Sequence, residues 1–138
     1  MKTYIPERLR ELVSNRANTR CEYCLLHRND EPVYPHEIDH VIAEKHFGPT
    51  NARNLAFACF YCNRFKGTDI ASIDPLTGQI VPLFNPRTQH WDGHFTLDGP
   101  LIVPLTGAGR TTVRLLQMNR PRIVQRRTYL IQLGRYPG

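Results

Sequence analysis

The chain contains two cysteine pairs of identical spacing, CEYC at residues 21–24 and CFYC at residues 59–62. The second pair opens the stretch CFYCNRFKG at residues 59–67, which predicts a short helix ended by a glycine. A two-residue spacer lets both thiolates of a pair face one ion, and two such pairs complete a tetrahedral zinc shell. We therefore predict one structural zinc, held by Cys21, Cys24, Cys59 and Cys62.

Other interpretations of the cysteines are two disulfides, four unlinked thiols or a thioredoxin-like redox pair. Disulfides are disfavoured because nothing in the sequence routes the chain out of a reducing compartment. A redox pair is disfavoured because the second matched pair would then be coincidental. Since structural zinc sites are closed by four protein ligands, this zinc is expected to brace the fold and not to catalyse.

Between the cysteine pairs, the stretch EIDH at residues 37–40 carries groups suited to phosphodiester hydrolysis. That reaction requires an activated water and a hard cation to neutralise charge in the transition state. The Asp39 carboxylate and the Asn63 carbonyl oxygen suit Mg²⁺ or Mn²⁺. The imidazole of His40 suits the removal of a proton from water. Because neighbouring strand residues point to opposite faces, Asp39 and His40 can serve one phosphate only where the strand twists or ends.

Taken together, residues 21–67 resemble an HNH endonuclease domain of the ββα-metal (His-Me finger) superfamily. Further stretches, HFGPT at 46–50, IDPLTG at 73–78 and PLFNP at 82–86, resemble a bacterial subfamily of small HNH proteins. The resemblance implies that His40 is the general base and Asp39 the acidic metal ligand. It implies that Asn54 holds the intervening loop and orients the base. Asn63 replaces the final histidine of the signature, which makes this an H-N-N version and favours a hard cation.

Nucleic acid is the expected partner, with DNA ahead of RNA. Arg64 and Lys66 on the predicted metal-bearing helix are candidate phosphate contacts. Net charge is +3 over residues 1–20, −4 over residues 21–109 and +7 over residues 110–138, giving +6 in all. Basic ends around an acidic middle suit a protein that grips phosphates and holds a cation centrally. An ordinary solvated surface would show the same balance.

Hydrophobic spacing predicts a helix over residues 5–17, strands at 37–43 and 55–58, and a helix at 59–66. Short strands are expected at 79–83, 95–97 and 101–103, followed by a helix capped by Thr106 and a last helix opened by Asn119 and Pro121. We expect the inner face of that last helix to carry Ile123, Val124, Leu130 and Ile131.

The predicted fold class is α+β. We expect a zinc-stapled ββα-metal core with an N-terminal helix at residues 1–68, and a C-terminal α/β extension packed on it at residues 69–138. The length of 138 residues suits such a compact chain. No apolar run reaches the length of a membrane helix, and the N-terminus lacks the apolar stretch of a secretory signal. A cytoplasmic protein is therefore expected, and the sequence leaves its oligomeric state open.

Three functions compete at this point. The leading one is a metal-dependent endonuclease that nicks DNA with His40, Asp39 and Asn63. The second is a zinc-stapled nucleic-acid-binding module with a degenerate, inactive site. The third, from another class, is a cysteine-based redox protein or a zinc-dependent interaction adaptor.

Overall fold

The computed structural model describes residues 3–138, which form four α-helices and six short strands. The strands pair into three antiparallel two-stranded sheets, so the fold is a mixed α and β arrangement. The elements in chain order are α1 (Glu7–Arg16), β1 (Glu37–His40), β2 (Leu55–Ala58), α2 (Phe60–Lys66), β3 (Ala71–Ile73), β4 (Ile80–Pro82), β5 (Phe95–Asp98), β6 (Leu101–Pro104), α3 (Gly107–Leu115) and α4 (Pro121–Gln132).

The first sheet and the helix after it form the part of the chain that carries the predicted site. β1 pairs with β2 so that Asp39 lies opposite Ala56 and His40 opposite Leu55. All four residues of β2 are buried, which fits its continuous apolar sequence. Cys59 caps α2 by accepting a hydrogen bond from the backbone N–H of Cys62, and Gly67 ends the helix with a φ of 53°.

The second half of the chain packs two further hairpins against α3. β3 and β4 pair from Ala71 opposite Pro82 to Ile73 opposite Ile80, and both strands contact α3. Asp74 follows β3 and accepts two hydrogen bonds from the Arg110 guanidinium of α3, at 3.0 and 2.9 Å. This bidentate pair ties the β3–β4 hairpin to α3.

One hydrophobic core joins the cysteines to the second half of the chain. It contains the four cysteines together with Tyr23, Phe84, Phe95, Ile102, Leu116, Met118, Leu130 and Tyr136. A smaller core cluster holds α1 against β2 through Ile5, Val13, Leu55 and Phe57. Apolar packing therefore continues across residue 68, and the division of the chain at that position stays a prediction.

Most predicted elements are present, with shifts of a few residues at their ends. Strand β3 was not predicted. Thr106 caps α3 as expected, by accepting a hydrogen bond from the N–H of Gly109. Asn119 does not cap α4; its side chain bonds both the N–H and the carbonyl of Ile102 in β6. Ile131 was wrongly placed on the inner face of α4, where Arg127 is buried instead.

Within residues 3–138, no helix combines the length and the apolar character needed to cross a bilayer.

Candidate nuclease site beside a cysteine cluster

The four cysteines meet at one point of the main core, as their spacing predicts. Their sulfur atoms all lie within 4.8 Å of one another, and Cys24 Sγ is 3.7 Å from Cys59 Sγ. A tetrahedral zinc–thiolate site has zinc–sulfur bonds of about 2.3 Å, which places its sulfurs roughly 3.8 Å apart. In the first pair, Cys21 Sγ also accepts hydrogen bonds from the N–H groups of Tyr23 and Cys24, at 3.4 Å each. These residues fit one structural zinc ion.

The protonation of these thiols is unequal because they are so close together. Hydrogen bonds from the other cysteines, Cys21 first, lower the pKa of Cys24. The same crowding, again with Cys21 as the largest influence, raises the pKa of Cys59 and of Cys62. A divalent cation compensates the negative charge of four thiolates, so its binding is coupled to proton release.

Strand β1 ends at His40. Asp39 and His40 were expected to serve one phosphate only where the strand twists or ends, and the strand does end there. His40 Nε2 lies 2.9 Å from Thr50 Oγ1 and 3.6 Å from Glu44 Oε1. Both partners belong to the loop between β1 and β2, so this loop fixes the orientation of the imidazole. Thr50 and Glu44 were not predicted as partners of His40, since both look like ordinary polar loop residues.

Asn54 holds the loop that carries these partners. Its Oδ1 accepts a hydrogen bond from the N–H of Ile42 at 2.9 Å. Its Nδ2 donates to the carbonyls of Ile42 at 2.8 Å and Pro49 at 2.9 Å. The backbone comes so close here that a Cβ on Gly48 would lie 1.7 Å from the carbonyl oxygen of Ile42. Only glycine therefore fits at position 48.

Asp39 is buried, with 3% of its surface exposed, and both of its carboxylate oxygens have partners. Tyr23 donates its hydroxyl hydrogen to Oδ2 at 2.7 Å, and Lys66 Nζ lies 3.2 Å from Oδ1. Burial raises the pKa of Asp39, and the nearby Lys66 ammonium opposes that rise. Tyr23 lies between the first two cysteines, so the cysteine cluster also positions the carboxylate.

Lys66 was expected to contact nucleic acid, and the structure does not support that role. Only 1% of its surface is exposed, and its ammonium also donates to the carbonyl oxygen of His40 at 3.1 Å. A buried cation needs such partners to offset its lost hydration. Lys66 instead links the end of α2 to the end of β1.

An open cleft of about 540 Å³ brings together four of the predicted site residues, whereas Asn54 and Lys66 do not line it. Its lining includes Glu37, Asp39, His40, Asn63 and Arg64. Asn63 donates its Nδ2 hydrogen to Glu37 Oε1 at 2.9 Å, which leaves the Asn63 carbonyl oxygen as an acceptor. Glu37 was not among the predicted site residues, and its hydrogen bond to Asn63 makes it part of this cleft.

The arginines of the last 29 residues are less available than the net charge suggests. Arg110, Arg126 and Arg135 pair with Asp74, Glu31 and Asp30. Arg127 is buried and donates to the carbonyls of Pro100 and Met118. A continuous arginine track along α3 and α4 is therefore not present among the described residues. Arg64, by contrast, is exposed at the rim of the cleft.

Comparison with known proteins matches the segment that carries this cleft. The family model described as HNH endonuclease matches residues 21–69, which include both cysteine pairs, β1, β2 and α2. Comparisons with curated proteins and with solved structures gave no match. The family match implies a nuclease-type function with a metal site. The segment from residue 21 to residue 69 is therefore similar to the HNH endonuclease family.

Proposed function

We propose that the chain is a metal-dependent endonuclease that hydrolyses phosphodiester bonds and nicks DNA. In this proposal β1, β2 and α2 form a ββα-metal core, and the zinc held by the four cysteines braces it. The observation that carries the proposal is the shared cleft, which is lined by Asp39, His40 and Asn63 together. The matched family supplies the reaction class.

The donor set of the cleft fits a hard divalent cation. Asp39, Glu37 and Asn63 offer carboxylate and amide oxygens, which Mg²⁺ and Mn²⁺ prefer. Asp39 and Asn63 are the proposed ligands, with Glu37 orienting Asn63 through their hydrogen bond. The carboxylate oxygens of Asp39 keep spare lone pairs beside Tyr23 and Lys66. The carboxylates of Asp39 and Glu37 carry two negative charges and the Lys66 ammonium one positive charge, so one net negative charge remains for the cation. When bound, the cation would neutralise charge that develops on the phosphate.

His40 acts as the general base in this proposal. This role requires the tautomer in which Nε2 carries the hydrogen and donates it to Thr50 Oγ1, so that Nδ1 is the basic nitrogen. Nδ1 then takes a proton from the water that attacks phosphorus. As the new P–O bond forms, the P–O bond to one sugar oxygen breaks, and that leaving oxygen takes up a proton from bulk water. Asn54 acts through the loop, since its three hydrogen bonds hold the segment that carries Thr50. Arg64 at the cleft rim supplies a phosphate contact.

A plasmid-nicking assay with zinc-loaded protein and added Mg²⁺ tests this function. Removal of a general base costs about 10²- to 10⁴-fold in rate, so His40→Ala should lose nicking by that factor. His46→Ala is the matched control, because His46 is an exposed histidine on the same loop. The His46→Ala variant should nick like wild type. Both proteins should stop nicking when neither Mg²⁺ nor Mn²⁺ is present. Equal nicking by wild type and His40→Ala, or no cleavage of any DNA substrate by wild type, would contradict the proposal.

The second candidate is a nucleic-acid-binding module whose site no longer cleaves. The observation in its favour is that both carboxylate oxygens of Asp39 are already engaged by Tyr23 and Lys66. It predicts DNA binding that is independent of Mg²⁺, with no nicking by wild type under any divalent cation. The same assay therefore separates the two candidates.

A further inference from the structure

A group of aromatic and arginine side chains extends from the rim of the cleft along the outside of α2. We call it the arginine–aromatic ladder, and it consists of Tyr34, Phe60, Tyr61, Arg64, Phe65 and Arg120. Tyr34 stacks on Phe60 with ring centres 4.0 Å apart and planes 13° from parallel. The Arg64 guanidinium lies over the same Phe60 ring, 4.5 Å from its centre. One end of the ladder therefore reaches the cleft through Arg64.

The other end of the ladder is built around Tyr61. Tyr61 meets Tyr34 edge to face, with ring centres 6.1 Å apart. Arg120 lies over Tyr61 at 4.6 Å and over Phe65 at 5.2 Å from the ring centres. Its Nε is buried and makes no hydrogen bond within the described chain, because the guanidinium packs on rings. Stacking on rings holds a guanidinium in place while leaving outward N–H groups for a ligand.

The charge of the ladder is uncompensated. Among residues 3–138, neither Arg64 nor Arg120 has a carboxylate within salt-bridge distance, whereas the neighbouring Arg126 pairs with Glu31. The exposed Tyr34 ring and these unpaired cations are complementary to a ligand that carries both negative charge and flat apolar surfaces. Nucleic acid has that combination, with phosphates for the arginines and base faces for the rings.

Tyr34 is the ring best placed to receive a base. It is 42% exposed, although it stacks on Phe60. Its backbone is fixed, since the N–H groups of Val33 and Tyr34 both donate to Glu31 Oε2, at 2.6 and 2.5 Å. Arg126 of α4 holds the other carboxylate oxygen of Glu31 at 2.6 Å. The ring is therefore presented on an anchored turn, which lowers the entropy lost when a ligand stacks on it.

We propose that the ladder binds a single-stranded segment of nucleic acid next to the cleft, with an unpaired base stacked on Tyr34. Bases inside a duplex have both faces covered by their neighbours, so only an unpaired base can use the ring. Arg64 and Arg120 contact the phosphates of the same strand. This inference rests on the proposed nuclease function and narrows its substrate to nucleic acid that is single-stranded beside the cleavage site.

Fluorescence anisotropy tests the inference without cleavage. Zinc-loaded protein in Mg²⁺-free buffer is titrated into a labelled DNA single strand, and separately into the fully paired duplex of that strand. Stacking on one aromatic side chain changes affinity by about 5- to 150-fold per base, so Tyr34→Ala should weaken single-strand binding by a factor in that range. Duplex binding should stay within about 2-fold, since it does not use the ring.

Three further variants make the result specific to stacking. Tyr34→Phe keeps the ring and should bind the single strand like wild type. Tyr34→Leu keeps bulk without an aromatic face and should behave like Tyr34→Ala, which covers the case in which the alanine variant fails to fold. Tyr129→Ala removes a tyrosine that is 60% exposed and has no ring or cation contact with the ladder among the described residues; it should change nothing.

Equal weakening of single-strand and duplex binding by Tyr34→Leu, or no weakening of either, would overturn the inference. The outcome is independent of the nicking assay. If nicking depends on His40 but single-strand binding does not depend on Tyr34, the proposed function stands and the single-strand inference is wrong. A protein that binds single strands through Tyr34 but never cleaves retains the ladder and refutes the nuclease.

Discussion

Lys66 and Asp39 form an ion pair in the protein interior, with 1% and 3% of their side chains exposed. Neither charge would be tolerated there alone, because a buried charge loses its hydration. Tyr23 and the carbonyl oxygen of His40 complete the set of partners. The pair thus joins three segments that border the cleft: the first cysteine pair, the end of β1 and the end of α2.

Replacing Lys66 with methionine should destabilise the protein strongly. Breaking a buried pair by removing one partner typically costs about 3–5 kcal/mol, because the other charge is left uncompensated. The measurement is urea unfolding of the zinc-loaded protein near pH 7. The double variant Lys66→Met with Asp39→Asn should recover a large part of the loss, since no charge then remains buried. A single variant that loses less than about 1 kcal/mol would contradict this account.

The same variant should respond to pH in a defined direction. Burial already raises the pKa of Asp39, and Lys66 is the main group that opposes the rise. Without Lys66 the folded protein favours the protonated carboxyl more strongly, so protonation relieves the buried charge. A carboxyl whose folded pKa is raised favours folding at low pH and loses that contribution as pH rises. The deficit of Lys66→Met should therefore shrink as pH falls from about 7 toward about 5.

At the residue scale, the sequence predicted which side chains carry the chemistry better than it predicted which side chains are exposed. Asp39, His40 and Asn63 were predicted together and line one cleft. Lys66 was expected at the surface because a lysine near the end of a short helix is usually solvated. Its burial depends on Asp39, which lies 27 positions earlier in the chain, and on a carbonyl oxygen whose position only the folded backbone defines. Residue patterns do not contain that information.

The connection between β1 and β2 acts as a structural element of its own. Asn54 bonds it at three points, and the Gly48 N–H donates to the carbonyl of Ala43 at 3.1 Å. The connection carries Glu44 and Thr50, the two partners of the His40 imidazole. Its shape therefore determines where the imidazole points.

Gly48→Ala should distort this connection. The added methyl would lie 1.7 Å from the carbonyl oxygen of Ile42, so the backbone must shift. Overpacking of this kind costs about 1–3 kcal/mol, and displacement of Thr50 should also slow nicking. Thermal unfolding and the nicking assay measure the two effects. Gly93→Ala is the matched control, because a Cβ at Gly93 meets nothing within 4 Å. Equal melting temperatures for the two variants would refute the close approach.

Helix ends could be predicted from local sequence wherever the capping residue has no competing partner elsewhere in the chain. Cys59 and Gly67 bound α2, and Thr106 caps α3, as expected from side chains that satisfy helix ends. Asn119 carries an equally good cap signal but is used by β6, 17 positions earlier, because the edge of that strand needs a donor and an acceptor. Competition between a local and a distant partner is decided by tertiary packing.

At the scale of the whole molecule, the cysteine cluster is part of the main core and contacts residues from both halves of the chain. Structural zinc bound by thiolates contributes about 10–16 kcal/mol, which equals or exceeds the entire stability of a typical domain. The metal is thus expected to stabilise more of the chain than the two cysteine turns at residues 21–24 and 59–62.

Removal of zinc should unfold most of the chain at room temperature. Circular dichroism after treatment with a strong zinc chelator should show loss of helix and of cooperative melting. Added Zn²⁺ should restore both, whereas Mg²⁺ should restore neither. Cys24→Ser should reproduce the effect without a chelator. A zinc-depleted protein with an unchanged melting temperature would show that packing alone maintains the fold.

The contact between Tyr136 and Cys24 constrains how the molecule is made. The Tyr136 ring is part of the main core, and its hydroxyl donates to the carbonyl oxygen of Cys24 at 2.8 Å, across 112 positions of chain. A ribosome delivers all four thiols long before it delivers this tyrosine. During synthesis the nascent polypeptide can therefore capture its metal while the surroundings of that metal are still incomplete. Final closure around the first cysteine pair has to wait for translation to reach residue 136.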